Sequence, residues 1–192
     1  MIALLIVLCE VAFWVLLAAG LALRYVAKKP KLGAAVLLCE PLLEVVLLVV
    51  TAVDLKSGAE PDWKHGLAAV YIGFTVGLGH HTIKKVDAWV AHRWFGGPPP
   101  VKAPEYGRAR AVHEWRSAAR WVLAGVTAVA LLQAAVWYVG PGGDISTLRM
   151  WQQKMGWVIG ISTAVAAYYT LFPKRAPEGH EETAAEREPA EK

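Results

Sequence analysis

Five long apolar runs, separated by segments rich in polar residues, set the pattern of the chain. A helix that crosses the hydrocarbon of a bilayer needs about 20 apolar residues, within a range of roughly 17 to 25. The third run is the shortest, because its strictly apolar part ends at Gly79 and residues 80–82 are needed to complete it. The pattern predicts an all-α, polytopic bundle of about five transmembrane helices, over residues 2–23, 32–53, 67–83, 121–139 and 155–172.

The distribution of basic residues predicts the orientation of this bundle. Short cytoplasmic loops of membrane proteins carry an excess of Lys and Arg. Sixteen of the 20 basic residues fall in residues 24–31, 84–120 and the tail after residue 172, which share one side of a five-span topology. The N-terminus is therefore expected outside and the C-terminus inside. Met1 leads directly into the first run with no basic segment before it, so we expect a retained signal-anchor and not a cleaved signal peptide.

Composition agrees with a membrane environment and narrows the expected partners. Hydrophobic residues make up 56% of the 192 residues, against roughly 45 to 50% in soluble domains. The formal charge is +4, but the basic residues flank apolar runs, where they indicate orientation and contact with anionic lipid headgroups. We expect a multi-pass plasma-membrane protein that contacts membrane lipids and binds no nucleic acid. Cys9 and Cys39 lie within apolar runs, so no disulfide framework is indicated.

Residues 84–120 are predicted to form an amphipathic cytoplasmic connector. Apolar residues recur at helical spacing after residue 83, opposite charged residues, and the glycines and prolines of residues 96–100 should end this helix. A second amphipathic piece leads into the fourth run. Residues 173–192 are charged and poor in apolar side chains, so we predict a disordered cytoplasmic tail. The candidates for binding lipid or a partner protein are Lys84, Lys85, Arg93, Arg108, Arg110 and Arg116.

Three glutamates lie inside apolar runs, and these are the candidate proton- or ion-handling residues. A carboxylate at mid-depth costs about 2.5 to 3.5 kcal/mol on insertion scales, so it tends to pair, to protonate or to line a polar path. Glu40 and Glu44, hereafter the acid pair, are one helical turn apart on one face, and Pro41 leaves the carbonyl of Leu37 without its helical donor. The pair is a candidate for sharing a proton or binding a cation; the alternative is a structural, protonated acid. Glu10 is the third glutamate.

His80 and His81 follow the third run and are expected near Glu40 in depth. Either could gate an ion path, and a divalent metal held by the acid pair, one histidine and Cys39 is chemically possible. The alternative is an interfacial role with hydrogen bonds to headgroups. We expect no cofactor and leave a metal open.

No soluble catalytic motif is present: the chain has no P-loop, no dinucleotide-binding glycine pattern, no His-Glu-x-x-His and no Gly-x-Ser-x-Gly. The first functional hypothesis is a small proton- or cation-linked transport or channel component that uses its intramembrane carboxylates. Such a component could act as a homo-oligomer. The second is an accessory or scaffold subunit that binds lipid or another membrane protein through the basic connector. The third hypothesis, after these two, is a membrane enzyme that acts on a lipid-soluble substrate.

The succession RYVAKKPKLGAA, HGLAAVYIG, GHHTIKK and GGPPPVKAPEYGRA resembles small integral membrane proteins of unknown function from high-GC Gram-positive bacteria. The resemblance covers roughly the first 140 residues and includes no catalytic motif. It implies a plasma-membrane location and assigns no residue a role.

Overall fold

The computed structural model describes residues 2–60 and 62–174, without the side chains of residues 2–7, 9, 10, 64 and 65. Within these ranges the regular structure is helical and contains no strand, which confirms the predicted all-α class. Nearly all of the predicted disordered tail, residues 175–192, lies outside the described residues. The helices are α1 (Ile2–Leu21), α2 (Pro30–Leu37), α3 (Cys39–Lys56), α4 (Leu67–Phe74), α5 (His80–Phe95), α6 (Gly107–Val139) and α7 (Ser146–Leu171).

Two π-helical turns lengthen these elements. One, Ala22–Val26, extends α1, and the other, Thr75–Gly79, joins α4 to α5, so helical backbone continues from the third apolar run into the connector. The helix then ends at Phe95, where Gly96 takes a left-handed conformation with φ of 63°. Glycine adopts this conformation without the steric cost that other residues meet, which explains why the helix stops at the glycine and proline run.

The second apolar run is broken at Leu38 into α2 and α3. Leu38 forms a turn between the two helices and its N–H bonds to the carbonyl of Ala34. Pro41, on the first turn of α3, has no N–H to offer the carbonyl of Leu37, and a proline ring crowds the carbonyl four residues earlier. The proline therefore accounts for a break just before α3.

The predicted amphipathic piece and the fourth run form one continuous helix, α6. Its 33 residues rise over about 50 Å. No proline and no glycine interrupts residues 108–124, so nothing ends the helix where its surface changes from charged to apolar.

Two helical segments, Pro30–Lys56 with 27 residues and Gly107–Gly142 with 36, are long and apolar enough to cross a membrane. Val11–Val26 is apolar but shorter. These are properties of length and composition within the described residues. The number of spans and their orientation remain predictions.

Small residues fill the interior, while large apolar residues cover much of the surface. Alanine and glycine make up most of the buried residues of α4 and α6. Three leucines, Leu55, Leu132 and Leu148, are completely buried between α3, α6 and α7. A water-soluble protein of this size rarely exposes so continuous an apolar surface. Large residues outside and small residues at helix contacts are typical of helices packed in lipid. Exposed examples are Leu42, Val46, Val49, Leu123, Val126, Trp157 and Ile161.

Gly73 and Gly77 bring α4 and its π-helical turn into direct contact with α6. A Cβ at Gly73 would meet the carbonyl oxygen of Ala124, and one at Gly77 would meet the carbonyl oxygen of Arg120. The two glycines are four residues apart and form a Gly-x-x-x-Gly face, which lets two backbones approach closely. This seam fixes the opposite face of α4 toward α1 and α3.

Candidate functional site

The acid pair lies on α3 with carboxylate oxygens that find no partner. Glu44 is only 5% exposed, and its Oε2 is buried with no hydrogen-bond partner. Glu40 is half-buried, and its Oε1 is likewise buried and unpartnered. Glu44 also lies near the middle of the Pro30–Lys56 segment, about 21 Å from its start and about 18 Å from its end by helical rise. Burying an unpaired carboxylate is costly, so a neutralising proton or cation is expected there.

Both acids open onto one cavity between α1, α3 and α4, which we call the acid-pair cavity. Its volume is about 230 Å³, and its wall includes the rings of Phe13, Tyr71 and Phe74. The rings of Phe13 and Tyr71 stack with centroids 5.8 Å apart. The cavity is therefore a carboxylate site with aromatic walls.

A second cavity of about 330 Å³, the Arg24 cavity, adjoins the first. Glu40, Phe74 and Thr75 line both cavities, while Arg24 and Tyr25 line only the second. Its remaining wall is formed mainly by apolar side chains of α1, α2 and α5. The second cavity borders the π-helical end of α1, the first borders Glu44, and Glu40 lines both.

Arg24, which lines the second cavity, forms an ion pair with Asp87 on α5. The Arg24 guanidinium donates through Nε to Oδ1 of Asp87 at 2.9 Å and through Nη2 to Oδ2, and the Tyr25 hydroxyl donates to Oδ1 at 2.7 Å. The hydrogen bond from Arg24 holds the pKa of Asp87 below its ordinary value; partial burial opposes this effect and the bond from Tyr25 adds to it. This ion pair ties α5 to the end of α1. Sequence reasoning missed it, because the residues are 63 positions apart and each reads alone as a surface charge.

We predict that Asp87→Asn lowers the stability of the protein by about 1 kcal/mol at neutral pH, since the partly exposed pair loses its charge-assisted hydrogen bonds. A depressed folded-state pKa means that the carboxylate stabilises the fold above its unfolded pKa and that this contribution disappears as pH falls through the folded value. The difference in melting temperature between wild type and variant should thus stay constant from about pH 6 to pH 8 and shrink below about pH 4. Glu105→Gln, an exposed loop change, is the control. Equal effects of the two variants, or a difference that does not shrink as the pH falls from about 4 to about 2, would contradict the role given to Asp87.

The histidines and Cys39 do not join the acid pair. His80 and Cys39 are exposed, and neither lines either cavity. His81 instead lies within electrostatic range of Arg120 and His113 on α6. Among the residues that the structure describes, no three His, Cys, Asp or Glu side chains come together as a metal site, so the suggested set of the acid pair, one histidine and Cys39 is not assembled. The side chain of Glu10 lies outside the described part.

The basic candidates of the connector are mostly exposed, with one exception. Arg110 is partly buried; it pairs with Glu114 at 2.7 Å and lies over the Tyr169 ring, with 4.8 Å from its guanidinium carbon to the ring centroid. Arg110 therefore joins α6 to α7 and is less available than the others. The exposed members are Lys84, Lys85, Arg93, Arg108 and Arg116.

Comparison with known proteins shows similarity to an uncharacterised membrane protein. No protein-family model matches the chain, and no solved structure matches it. It is similar to the uncharacterised membrane protein YmcC of Bacillus subtilis (strain 168), with 34% identity over 178 residues that cover 91% of this chain and 94% of YmcC. The predicted likeness to uncharacterised membrane proteins is confirmed, whereas an origin among high-GC Gram-positive relatives stays a prediction. The chain belongs to the family of uncharacterised membrane proteins that includes YmcC.

Proposed function

We propose that the protein is a small proton- or cation-linked transport or channel component, in which the acid pair takes up the ion. The observation that carries this proposal is Glu44, which is 5% exposed and lies near the middle of the apolar Pro30–Lys56 segment. One of its carboxylate oxygens is buried without a hydrogen-bond partner, and the residue lines the acid-pair cavity. An acid in such a position costs free energy unless it is protonated or paired, and such acids commonly mark ion or proton paths.

The proposed topology has five spans in the plasma membrane, with the N-terminus outside and the C-terminus inside. The spans are α1, the Pro30–Lys56 segment, α4 with its following π-helical turn, the apolar half of α6, and α7. Exposed large apolar side chains on these helices support the proposal, as does the excess of Lys and Arg in alternate connections. In this arrangement the Arg24–Asp87 pair lies at the cytoplasmic end, and the Arg24 cavity leads from it toward the acid pair.

A proton and a cation would compete for the same two carboxylates. Each neutralises the buried charge, so binding of one favours release of the other, and this competition couples two ion gradients when the site is open to either side in turn. The Arg24–Asp87 pair is the group that would have to open on the cytoplasmic side.

We test proton handling by reconstituting the protein in liposomes that contain a trapped pH indicator and imposing a membrane potential with potassium and valinomycin. Proton uptake should fall at least about tenfold in Glu44→Gln, because the amide keeps the shape of the side chain but cannot exchange a proton. Glu60→Gln, an exposed loop change, is the matched control and should retain wild-type uptake. Undiminished uptake in Glu44→Gln would remove the acid pair from the mechanism.

The exposed cations of the connector favour a second candidate, an accessory subunit that binds anionic lipid or a partner protein. If this candidate is right, a stoichiometric partner or anionic lipid should remain bound to the wild-type protein during purification. This retention should be abolished by the combined change Arg93→Gln, Arg108→Gln and Arg116→Gln. These three side chains are exposed, so the fold should tolerate the change. Unchanged retention of lipid and the absence of any partner would speak against this candidate.

A further inference from the structure

We infer that the acid-pair cavity binds an organic ammonium ion that carries an apolar substituent. The inference rests on the proposed function, since it names the cation that the same site would take. It is carried by two features together, a buried carboxylate without a partner and a wall of three aromatic rings.

The walls offer the two groups that recognise an alkylated ammonium head. A cation near an aromatic face is attracted by the ring quadrupole, and the attraction is strongest where water is excluded. Phe13, Tyr71 and Phe74 contribute rings, while Glu44 and Glu40 contribute the opposing charge. An alkylated ammonium ion needs no directional oxygen ligands. Carboxylates on one side can balance its charge while aromatic rings on the other side attract it.

The same walls are poor in the oxygen ligands that a hard inorganic cation requires. Calcium takes six to eight oxygens and magnesium keeps an octahedral shell. Apart from the two acids, the lining residues with side-chain oxygens are Thr75, whose hydroxyl donates to the carbonyl of Tyr71 at 3.0 Å, and Tyr71 itself. Within the described part of the chain no three His, Cys, Asp or Glu side chains form a metal site. The chemistry therefore favours an organic cation over a metal ion.

Exposure of two cavity residues indicates how such a ligand would enter. Tyr71 is 43% exposed and Phe74 is 41% exposed, so these rings border the cavity and also face the surroundings of the bundle. In the proposed topology those surroundings are lipid, and a ligand that enters there must itself be partly apolar. The adjoining Arg24 cavity of about 330 Å³ gives room for an apolar substituent beside Glu40.

The probe is benzyltrimethylammonium, titrated calorimetrically into the full-length protein in nanodiscs, with empty nanodiscs subtracted. Its neutral isostere neopentylbenzene has the same shape without the charge. We expect at least tenfold weaker binding of the isostere, loss of detectable binding in Glu44→Gln, and about fivefold weaker binding in Phe74→Leu. Phe172→Leu removes an exposed ring that lines neither cavity, so this variant should bind the probe as wild type does.

Equal binding of the probe and its isostere would overturn the inference, as would binding that neither Glu44→Gln nor Phe74→Leu weakens. If Glu44→Gln does not fold, Phe74→Leu and Tyr71→Leu decide the matter, since both keep the acid pair. Absence of binding alongside proton uptake that depends on Glu44 would refute the organic cation and leave the proposed function standing. If the probe does not bind and proton uptake is unchanged in Glu44→Gln, both the organic cation and the proposed function are refuted.

Discussion

Gly77→Leu is expected to separate α4 from α6 and to destabilise the protein by about 3 kcal/mol or more, the upper end of the range for overpacked helix contacts. A Cβ at this position would meet the carbonyl oxygen of Arg120 and would lie 2.7 Å from the Cβ of Ala124. Backbone atoms cannot rotate away as a flexible side chain can, so the helices must move apart. Thermal unfolding of the detergent-solubilised protein, followed by circular dichroism, measures the loss.

Gly156→Leu on α7 is the matched control, because a Cβ there meets no atom within 4 Å. Replacing a mid-helix glycine also gains helix propensity, so the control should be neutral or slightly stabilising. A Gly77→Leu protein as stable as the Gly156→Leu protein would mean that α4 and α6 do not meet at this seam. The position of the aromatic wall relative to the acid pair would then need revision, since the seam orients α4.

Val46→Arg is expected to cost about 2.5 to 3.5 kcal/mol of membrane insertion, the penalty for arginine near the middle of a spanning helix. Val46 is 49% exposed on α3. In water an exposed valine could become arginine with little effect on folding. In lipid the guanidinium must enter the hydrocarbon. The fraction of protein that resists alkaline extraction from membranes should therefore fall sharply.

Val101→Arg provides the comparison. Val101 is 99% exposed in the segment between α5 and α6, where an added positive charge meets water or headgroups. Membrane integration of this variant should equal that of wild type. Equal integration of both variants would show that lipid does not surround α3 at Val46 and would weaken the significance given to Glu44.

The sequence predicted the helical class because hydropathy and helix breakers act locally. The glycine and proline run after Phe95 ends α5 as predicted, and Pro41 accounts for the interruption at Leu38. The amphipathic piece leads into the fourth run without a break in α6, because no residue between them interrupts the helix. The number of spans and their orientation stay predictions.

The candidate site was only partly accessible to sequence reasoning. One-turn spacing was enough to bring Glu40 and Glu44 onto one face of α3. Which faces of α1 and α4 meet them depends on helix rotation, and rotation follows from long-range packing such as the Gly77 contact. For that reason neither the aromatic wall nor the position of His81 within electrostatic range of α6 could be predicted.

The five-span topology, which puts the acid pair inside the bilayer, is tested most directly by single-cysteine labelling of intact cells with a membrane-impermeant maleimide. In a background without Cys9 and Cys39, the exposed positions Ser57, Ala103 and Gly142 each receive one cysteine. The predicted result is labelling from outside at 57 and 142, and labelling at 103 only after the cells are opened. Labelling of position 57 and position 103 from the same side would contradict the topology and remove Glu44 from the middle of a spanning helix bundle.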